Sequence, residues 1–181
     1  MMIAKRVEHN GKAYYQSFKG HIEDGLRILY SYFEMKQNVI QSFCNRWNID
    51  GEKFPKDLFL TVALHDVGKL TEQFQRNIRE GKRSHKYPHP LFGIPVLLEM
   101  PFEQYKGIPL SLLAILGHHS QLHKTIYKSS NLSKDVAYLD EEILEFVNIE
   151  IEELYKKLGF NKYFGYSSIK ITSFTIRTNE L

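Results

Sequence analysis

The sequence has one cysteine among its 181 residues. A lone thiol, Cys44, excludes an intramolecular disulfide and any zinc site built on several thiolates. A metal centre in this chain must therefore be assembled from histidines and carboxylates. Long apolar runs are lacking too: the longest, Leu110 to Leu116, stops at Gly117, far short of the ~20 residues that span a bilayer. The N-terminal segment has no continuous apolar stretch of the kind a secretory signal needs. The expectation is a soluble, cytoplasmic protein with no membrane partner. Excess charge of one sign is missing as well, since 24 Lys and Arg against 21 Asp and Glu leave +3, which alone implies no polyanionic ligand. Gly68-Lys69 is not a P-loop: the positions that need a Gly and a Ser or Thr hold Ala63 and Leu70.

What is present suffices for one domain with a real core: 43% of residues are hydrophobic, including 12 Phe and 11 Tyr. Ile22, Leu26, Leu29, Phe33, Ile40, Phe43 and Trp47 recur at spacings of three and four, which predicts a helix from His21 to Trp47 with a break near Gln37-Asn38. Cys44 lies within it and is expected to be an inert buried thiol. Leu60, Ala63, Leu64 and Val67 predict a second helix over Asp57–Lys69, with Asp57 in its first turn. A third, Leu70–Arg79, has Thr71 as its N-cap candidate. Pro95 shortens or bends a helix over Leu91–Met100, and Pro109–His119 begins on a proline. Asp140–Leu158 has acids in its first turns, lysines in its last and Gly159 as a C-cap. Ser168–Thr172 alternates like a strand without an obvious partner. The body reads all-α.

The surplus residue is histidine, with eight copies. His65-Asp66 closes the second helix. Residues adjacent on a helix point about 100° apart, so the pair serves one site only if that site is broad, as a metal centre is; a surface pair is the plainer reading of such a dipeptide alone. His118-His119 follow the most apolar helix, where a buried imidazole without a partner costs roughly 1–3 kcal/mol. His21 and His89 sit at other helix edges. His89 is equally readable as a cap.

In order along the chain, Ser17-Phe18-x-x-His21, His65-Asp66-Val67-Gly68-Lys69, His89-Pro90-Leu91-Phe92-Gly93 and His118-His119 resemble the HD-domain metal-dependent phosphohydrolases. More narrowly, they look like the CRISPR-associated HD nucleases of type I interference systems. The resemblance covers residues 17 to 120. It implies an all-α fold, an HD-domain helical bundle around a metal centre with an irregular or strand-like C-terminal tail. Residues 1–160 would form the nuclease domain and 161–181 the tail, part of an incomplete final element. Asp66 would bridge one or two divalent ions (Mn, Ni, Co, Fe or Mg), with His21 and His65 on one, and His89, His118 and His119 on the other. Asp66 and Lys69 would be the catalytic pair, Lys69 lying near the scissile phosphate. The implied activity is hydrolysis of single-stranded DNA, endonucleolytic, with RNA and exonuclease activity open. The implied partners are a separate CRISPR helicase subunit and, through it, the Cascade-type complex. Two rivals stand beside it: a phosphohydrolase of mononucleotides or cyclic nucleotides, and a degenerate HD module that binds a protein without catalysis. One departure from the family pattern is plain. A late Asp in an Ala-Asp context is absent, since the later aspartates are Asp135 and Asp140. Either that ligand lies beyond this sequence or the chain is a shortened variant.

Charge is distributed in keeping with a polyanionic substrate. Lys69, Arg76, Arg79, Lys82, Arg83 and Lys86 face only Glu72 and Glu80 between two of the ligand motifs, whereas eight acids crowd Asp135 to Gly159. A solvated surface is the alternative. Lys69, Arg79, Arg83, His85, His123 and Lys124 are the substrate-binding candidates, with Phe74, Tyr87 and Tyr127 available to stack on unpaired bases or to pack.

Overall fold

The computed structural model describes residues 1–82, 89–119 and 136–173. The chain opens with a hairpin that the helical periodicity does not announce. β1 (Ile3–His9) and β2 (Lys12–Ser17) pair antiparallel across Asn10-Gly11. Both turn residues have positive φ, 51° and 73°, the conformation that Asn-Gly adopts most readily in a two-residue hairpin loop. β2 then runs without a break into α1 (Phe18–Trp47), because Ser17 caps the helix by accepting from the Gly20 N–H at 3.1 Å.

α1 is non-helical at Lys36 (φ −124°, ψ 20°), one residue before the expected break. Ile22, Leu26 and Phe33 face the core. A second stripe, Ile28, Tyr32, Met35, Val39, Phe43 and Trp47, stays open to solvent, with Ile28 at 73% and Met35 at 71% exposed. Cys44 is fully buried, as expected, and burial pushes its thiol pKa up.

α2 (Lys53–Leu64) begins four residues before Asp57, which corrects the placement of that residue in a first turn. The start is set by Asp50, whose carboxylate accepts from the Glu52 and Lys53 N–H groups at 2.8 and 3.2 Å. Asp57 instead lies buried in the second turn. It accepts from the Glu103 N–H (3.3 Å), the Tyr105 hydroxyl (3.1 Å) and the Ser111 hydroxyl (3.3 Å), tying α2 to residues 103–111. Burial raises its pKa in spite of these donors. Asp57→Ala is expected to destabilise the fold by about 2 kcal/mol or more, since it strands three donors. The raised folded pKa means that the carboxyl's contribution is full below the unfolded value of roughly 3.9 and is lost as pH rises through the folded one. Asp57→Asn, uncharged throughout, should therefore gain stability relative to wild type across that window. Denaturant unfolding over a pH series checks this, and parallel profiles would contradict it.

A 3₁₀ turn (Val67–Lys69) follows α2, then α3 (Glu72–Arg79), where Thr71 is the N-cap and accepts from the Phe74 N–H. The Pro95 segment splits at Gly93 into α4 (His89–Phe92) and α5 (Ile94–Leu98), and α6 spans Leu110–Gly117. The long acidic helix is α7 (Asp140–Glu145), a π-helical turn (Phe146–Glu150) and α8 (Ile151–Leu158), ending on Gly159 at φ 80°. Phe33, Phe59, Phe146 and Phe160 fill the centre between α1, α2 and α7–α8. Ser168–Thr172 is irregular, not a strand. Ile169 and Ile171 alternate into the core, but the backbone partner of Ile171 is the Asn148 side-chain amide, which donates and accepts at 2.8 Å from within the π turn. Among the described residues, no helix is long and apolar enough to cross a membrane.

Candidate metal centre

Four elements deliver their ends to one point. His21 projects from the first turn of α1; His65 and Asp66 follow the last residue of α2; His89 starts α4; His118 and His119 follow α6. Asp66 is at the centre and 1% exposed. Its Oδ2 faces His21 Nε2 at 2.9 Å, His65 Nε2 at 3.3 Å and Lys69 Nζ at 2.6 Å. Its Oδ1 faces His89 Nε2 at 2.9 Å and His118 Nε2 at 3.5 Å. Two groups of donors result, one of His21, His65 and Asp66, the other of Asp66, His89, His118 and His119, with the ligand atoms of each within 4.8 Å of one another. All six sequence candidates for metal ligation thus lie together, with Lys69 beside them.

The imidazoles are oriented from behind. His65 Nδ1 lies 2.8 Å from the Val62 carbonyl oxygen and His118 Nδ1 2.5 Å from that of Ile115. A carbonyl only accepts, so Nδ1 of each ring holds the proton and Nε2 is left with its lone pair toward Asp66. These two carbonyls are part of the site that the sequence does not announce; they come from the helix turn that precedes each histidine. Phe74, a candidate for base stacking, packs edge-on to His89 with ring centroids 5.7 Å apart, and Lys69 Nζ lies 5.7 Å over its ring.

The cluster suits cations in a way that hydrogen bonding alone does not explain. Asp66 Oδ1 and His89 Nε2 are close, yet both are buried without a hydrogen-bond partner. Lone pairs that converge without pointing at each other are the arrangement of ligands around an ion, and a buried unsatisfied pair otherwise carries a penalty. Protonation states agree. Burial alone would raise the Asp66 carboxyl, but the imidazoles of His118, His21, His65 and His89 outweigh it and hold the group well below the ordinary carboxylate range. Burial, with His118 and His89 adjacent, pushes His119 down to about 4, so at neutral pH it is an uncharged donor. Burial likewise lowers His89, against the pull of Asp66. At His65 burial acts in the same direction, but hydrogen bonding and charge from Asp66 prevail and its pKa is raised.

Two glycines make the assembly possible. A Cβ on Gly68 would lie 1.8 Å from the His89 carbonyl oxygen and 2.7 Å from the Gly93 nitrogen; one on Gly93 would meet Val67 Cγ1 at 3.0 Å. The His-Asp-Val-Gly-Lys and His-x-x-x-Gly strings are therefore the two sides of one backbone contact.

The substrate-binding candidates divide differently. Lys69 is in the cluster. The Arg79 guanidinium donates to the Met1 carbonyl oxygen at 3.5 Å, on the strand side of α3. Arg83, His85, His123 and Lys124 lie outside the described residues, as do Tyr87, Tyr127 and Asp135. Asp140 begins α7 and belongs to neither donor group. A cavity of about 330 Å³ lies apart from the histidines and is lined by Glu142, Glu145 and Glu150 beside Lys19, an acidic wall unsuited to a phosphodiester.

Comparison with known proteins agrees with this geometry. Residues 4–163 match the model of the Cas3 HD domain. A protein of Methanocaldococcus jannaschii that bears the provisional name CRISPR-associated nuclease/helicase Cas3 is 44% identical over 108 residues, which are 60% of this chain. The chain corresponds to only 15% of that relative's length. No solved structure matches it. The family match runs through every histidine and aspartate of the cluster, and the chain accordingly belongs to the Cas3 HD domain family.

Proposed function

We propose that the chain hydrolyses phosphodiester bonds of single-stranded DNA in type I CRISPR interference, as a metal-dependent endonuclease of the cytoplasm. The observation that carries this reading is Asp66, a buried carboxylate whose two oxygens each face a separate set of imidazole nitrogens. His21, His65 and Asp66 Oδ2 would hold one divalent ion; Asp66 Oδ1, His89, His118 and His119 a second. Such ions supply Lewis acidity toward the phosphodiester and an activated water near neutral pH. Nitrogen and oxygen donors without thiolate fit Mn, Fe, Co, Ni or Mg.

The chain's own groups then have distinct roles. The Val62 and Ile115 carbonyls fix the tautomers of His65 and His118, so that no proton must leave Nε2 before it acts as a ligand. Lys69, held against Asp66 at 2.6 Å, places a positive charge where a phosphate oxygen would approach. Among the described residues the His21–His65 group has Asp66 as its third ligand, one fewer than the four of the other group. Residues 1–160 would be the catalytic unit, with 161–181 as a tail.

The partner would be a helicase subunit encoded apart, and the Cascade-type complex through it. The relative's name couples nuclease and helicase in one longer chain. The open stripe from Ile28 to Trp47 continues the face of α1 that carries His21, and exposed apolar surface of this extent marks a protein interface. Co-elution of the purified chain with that helicase, lost on Met35→Lys, would support it.

The substrate is tested by incubating the wild-type chain with Mn²⁺, Ni²⁺ or Mg²⁺ and circular single-stranded DNA, the same DNA as duplex, and 2′,3′- or 3′,5′-cyclic nucleotides. Metal-stimulated linearisation of the circle is the expected result. Hydrolysis of the cyclic nucleotides alone would replace this reading by the mononucleotide one, and no hydrolysis of any would leave a binding module.

A further inference from the structure

The hairpin has a face that neither the core nor the metal centre uses. Its register pairs Lys5 with Gln16, Val7 with Tyr14 and His9 with Lys12. Side chains alternate along a strand, so these six share one side of the two-stranded sheet. The opposite side, with Arg6, Glu8 and Tyr15, turns toward α3. There Arg6 forms an ion pair with Glu8 and lies so close to Gly81 that a Cβ at that glycine would meet its guanidinium at 2.0 Å. Among the described residues nothing covers the other side. Tyr14 is 55% and Val7 49% exposed, and Lys5, His9 and Lys12 are exposed around them.

The chemistry of this face is unusual for a solvated hairpin. A Val–Tyr pair sits in the open, where a purely structural sheet would place polar side chains. Two lysines and a histidine ring it, and none of the six is a carboxylate; Glu8, between Val7 and His9, belongs to the opposite side. Asp24 on α1 accepts from the Gln16 amide at 2.8 Å and so closes the root of the sheet. An aromatic ring in a cationic surround is what binds an unpaired base and its flanking phosphates: the ring stacks on any base, and the cations release counterions from the backbone.

The position favours the same ligand. β2 passes directly into α1, and His21 follows Ser17 by four residues, about 6 Å along the helix axis. Tyr14 is three residues earlier, roughly 10 Å further along the extended strand. A strand cut at the metal centre would reach Tyr14 with nucleotides only a few positions from the scissile bond.

We propose that this face, Tyr14 with Lys5, His9 and Lys12, is a second contact for single-stranded nucleic acid, a stacking platform that holds the substrate strand beside the metal centre. The inference rests on the nuclease reading for its substrate, but its test does not depend on catalysis.

Binding of a fluorescent 20-nucleotide single-stranded DNA is measured by anisotropy on the full chain in EDTA, for wild type, Tyr14→Ala, Tyr14→Trp and Lys5→Gln/Lys12→Gln, each checked for unchanged melting. Tyr14→Ala should weaken binding by about 5- to 100-fold, and Tyr14→Trp should preserve it, as stacking predicts. The lysine pair should reduce the slope of log K against log salt by about 1.4, the value for two phosphate contacts on a single strand. Duplex of the same sequence should respond little to Tyr14→Ala, because its bases are already stacked. Equal affinity of wild type and Tyr14→Ala for the single strand, or no binding by wild type, overturns the platform and leaves the face to a protein partner. Cleavage by the wild type with metal is followed separately. Binding as expected without cleavage would sink the nuclease reading alone, and cleavage with unaltered Tyr14→Ala binding would sink the platform alone.

Discussion

Asp66→Ala should abolish both metal binding and metal-dependent cleavage. Asp66 is the one carboxylate shared by the two donor groups, and it contributes a different oxygen to each. Its loss leaves two histidines on one side and three on the other, with no anion between them to balance a divalent charge. Removing an outer-shell partner of a metal ligand typically lowers affinity or activity 10–100-fold, so a shared ligand should reduce cleavage by at least about 10³-fold. Calorimetric titration with Mn²⁺ or Ni²⁺ should show no saturable binding in the variant. Cleavage at the wild-type rate would refute the assignment of Asp66.

The same substitution removes the counter-ion that Lys69 has among the described residues; the lysine side chain is 11% exposed and 2.6 Å from Oδ2. A buried charge deprived of its partner destabilises by about 3–5 kcal/mol, and each kcal/mol lowers the melting temperature of a chain this size by about 2–4 °C. Loss of activity in Asp66→Ala alone thus mixes chemistry with folding. Asp66→Ala/Lys69→Met, read by metal titration beside a Lys69→Met control, separates the two, because it removes the stranded cation, fills its volume and takes away no metal ligand besides Asp66. The double variant should recover most of the melting temperature and none of the metal binding. Recovery of both would mean that Asp66 is structural.

Much of the fold was legible because long helices repeat every 3.6 residues, and α1 and α7–α8 carry that repeat over many turns. The hairpin is not legible in the periodicity, although Asn10-Gly11 is its signal. The residues that flank the turn are mostly polar on both faces, so the alternation that usually supports such a turn is weak. An acid near a helix start resembles a dipole partner, which is why the sequence points to Asp57 as the start of α2. Asp57 instead gathers donors from residues 103 to 111, a relation that no local pattern encodes. The tail alternates truly, with Ile169 and Ile171 inward, but its backbone is satisfied by Asn148 and not by a neighbouring strand. In the site, the four histidine-bearing strings were readable in order. What they do for one another was not. The carbonyls behind His65 and His118 follow from helix turns alone, whereas the contact of Gly68 with the backbone of His89 and Gly93 joins separate segments of the chain and appears only in three dimensions.

That contact supplies the second large expectation. Gly68→Ala should disable the His89 side of the cluster while leaving the chain's other ligands in place. The added Cβ would meet the His89 carbonyl oxygen at 1.8 Å and the Gly93 nitrogen at 2.7 Å. Neither neighbour is a flexible side-chain end that can step aside; both are backbone of the segment that presents His89. The strain must therefore move α4 away from the 3₁₀ turn, or move the turn itself. Overpacking of this kind typically destabilises by about 1–3 kcal/mol, and a backbone-to-backbone clash belongs at the upper end. Moving α4 also withdraws His89 Nε2 from its 2.9 Å approach to Asp66 Oδ1, whereas His21 and His65 reach Oδ2 from α1 and the end of α2, and the atoms nearest the added methyl all belong to the His89–Gly93 segment. The variant should melt several degrees lower, and its metal titration should lose the component that His89→Ala also loses, keeping that which depends on His21. Cleavage should fall with it. If Gly68→Ala binds metal and cleaves as wild type does, the glycine in the His-Asp-Val-Gly-Lys string is not there to admit His89, and the close packing of these two segments is not what builds the site.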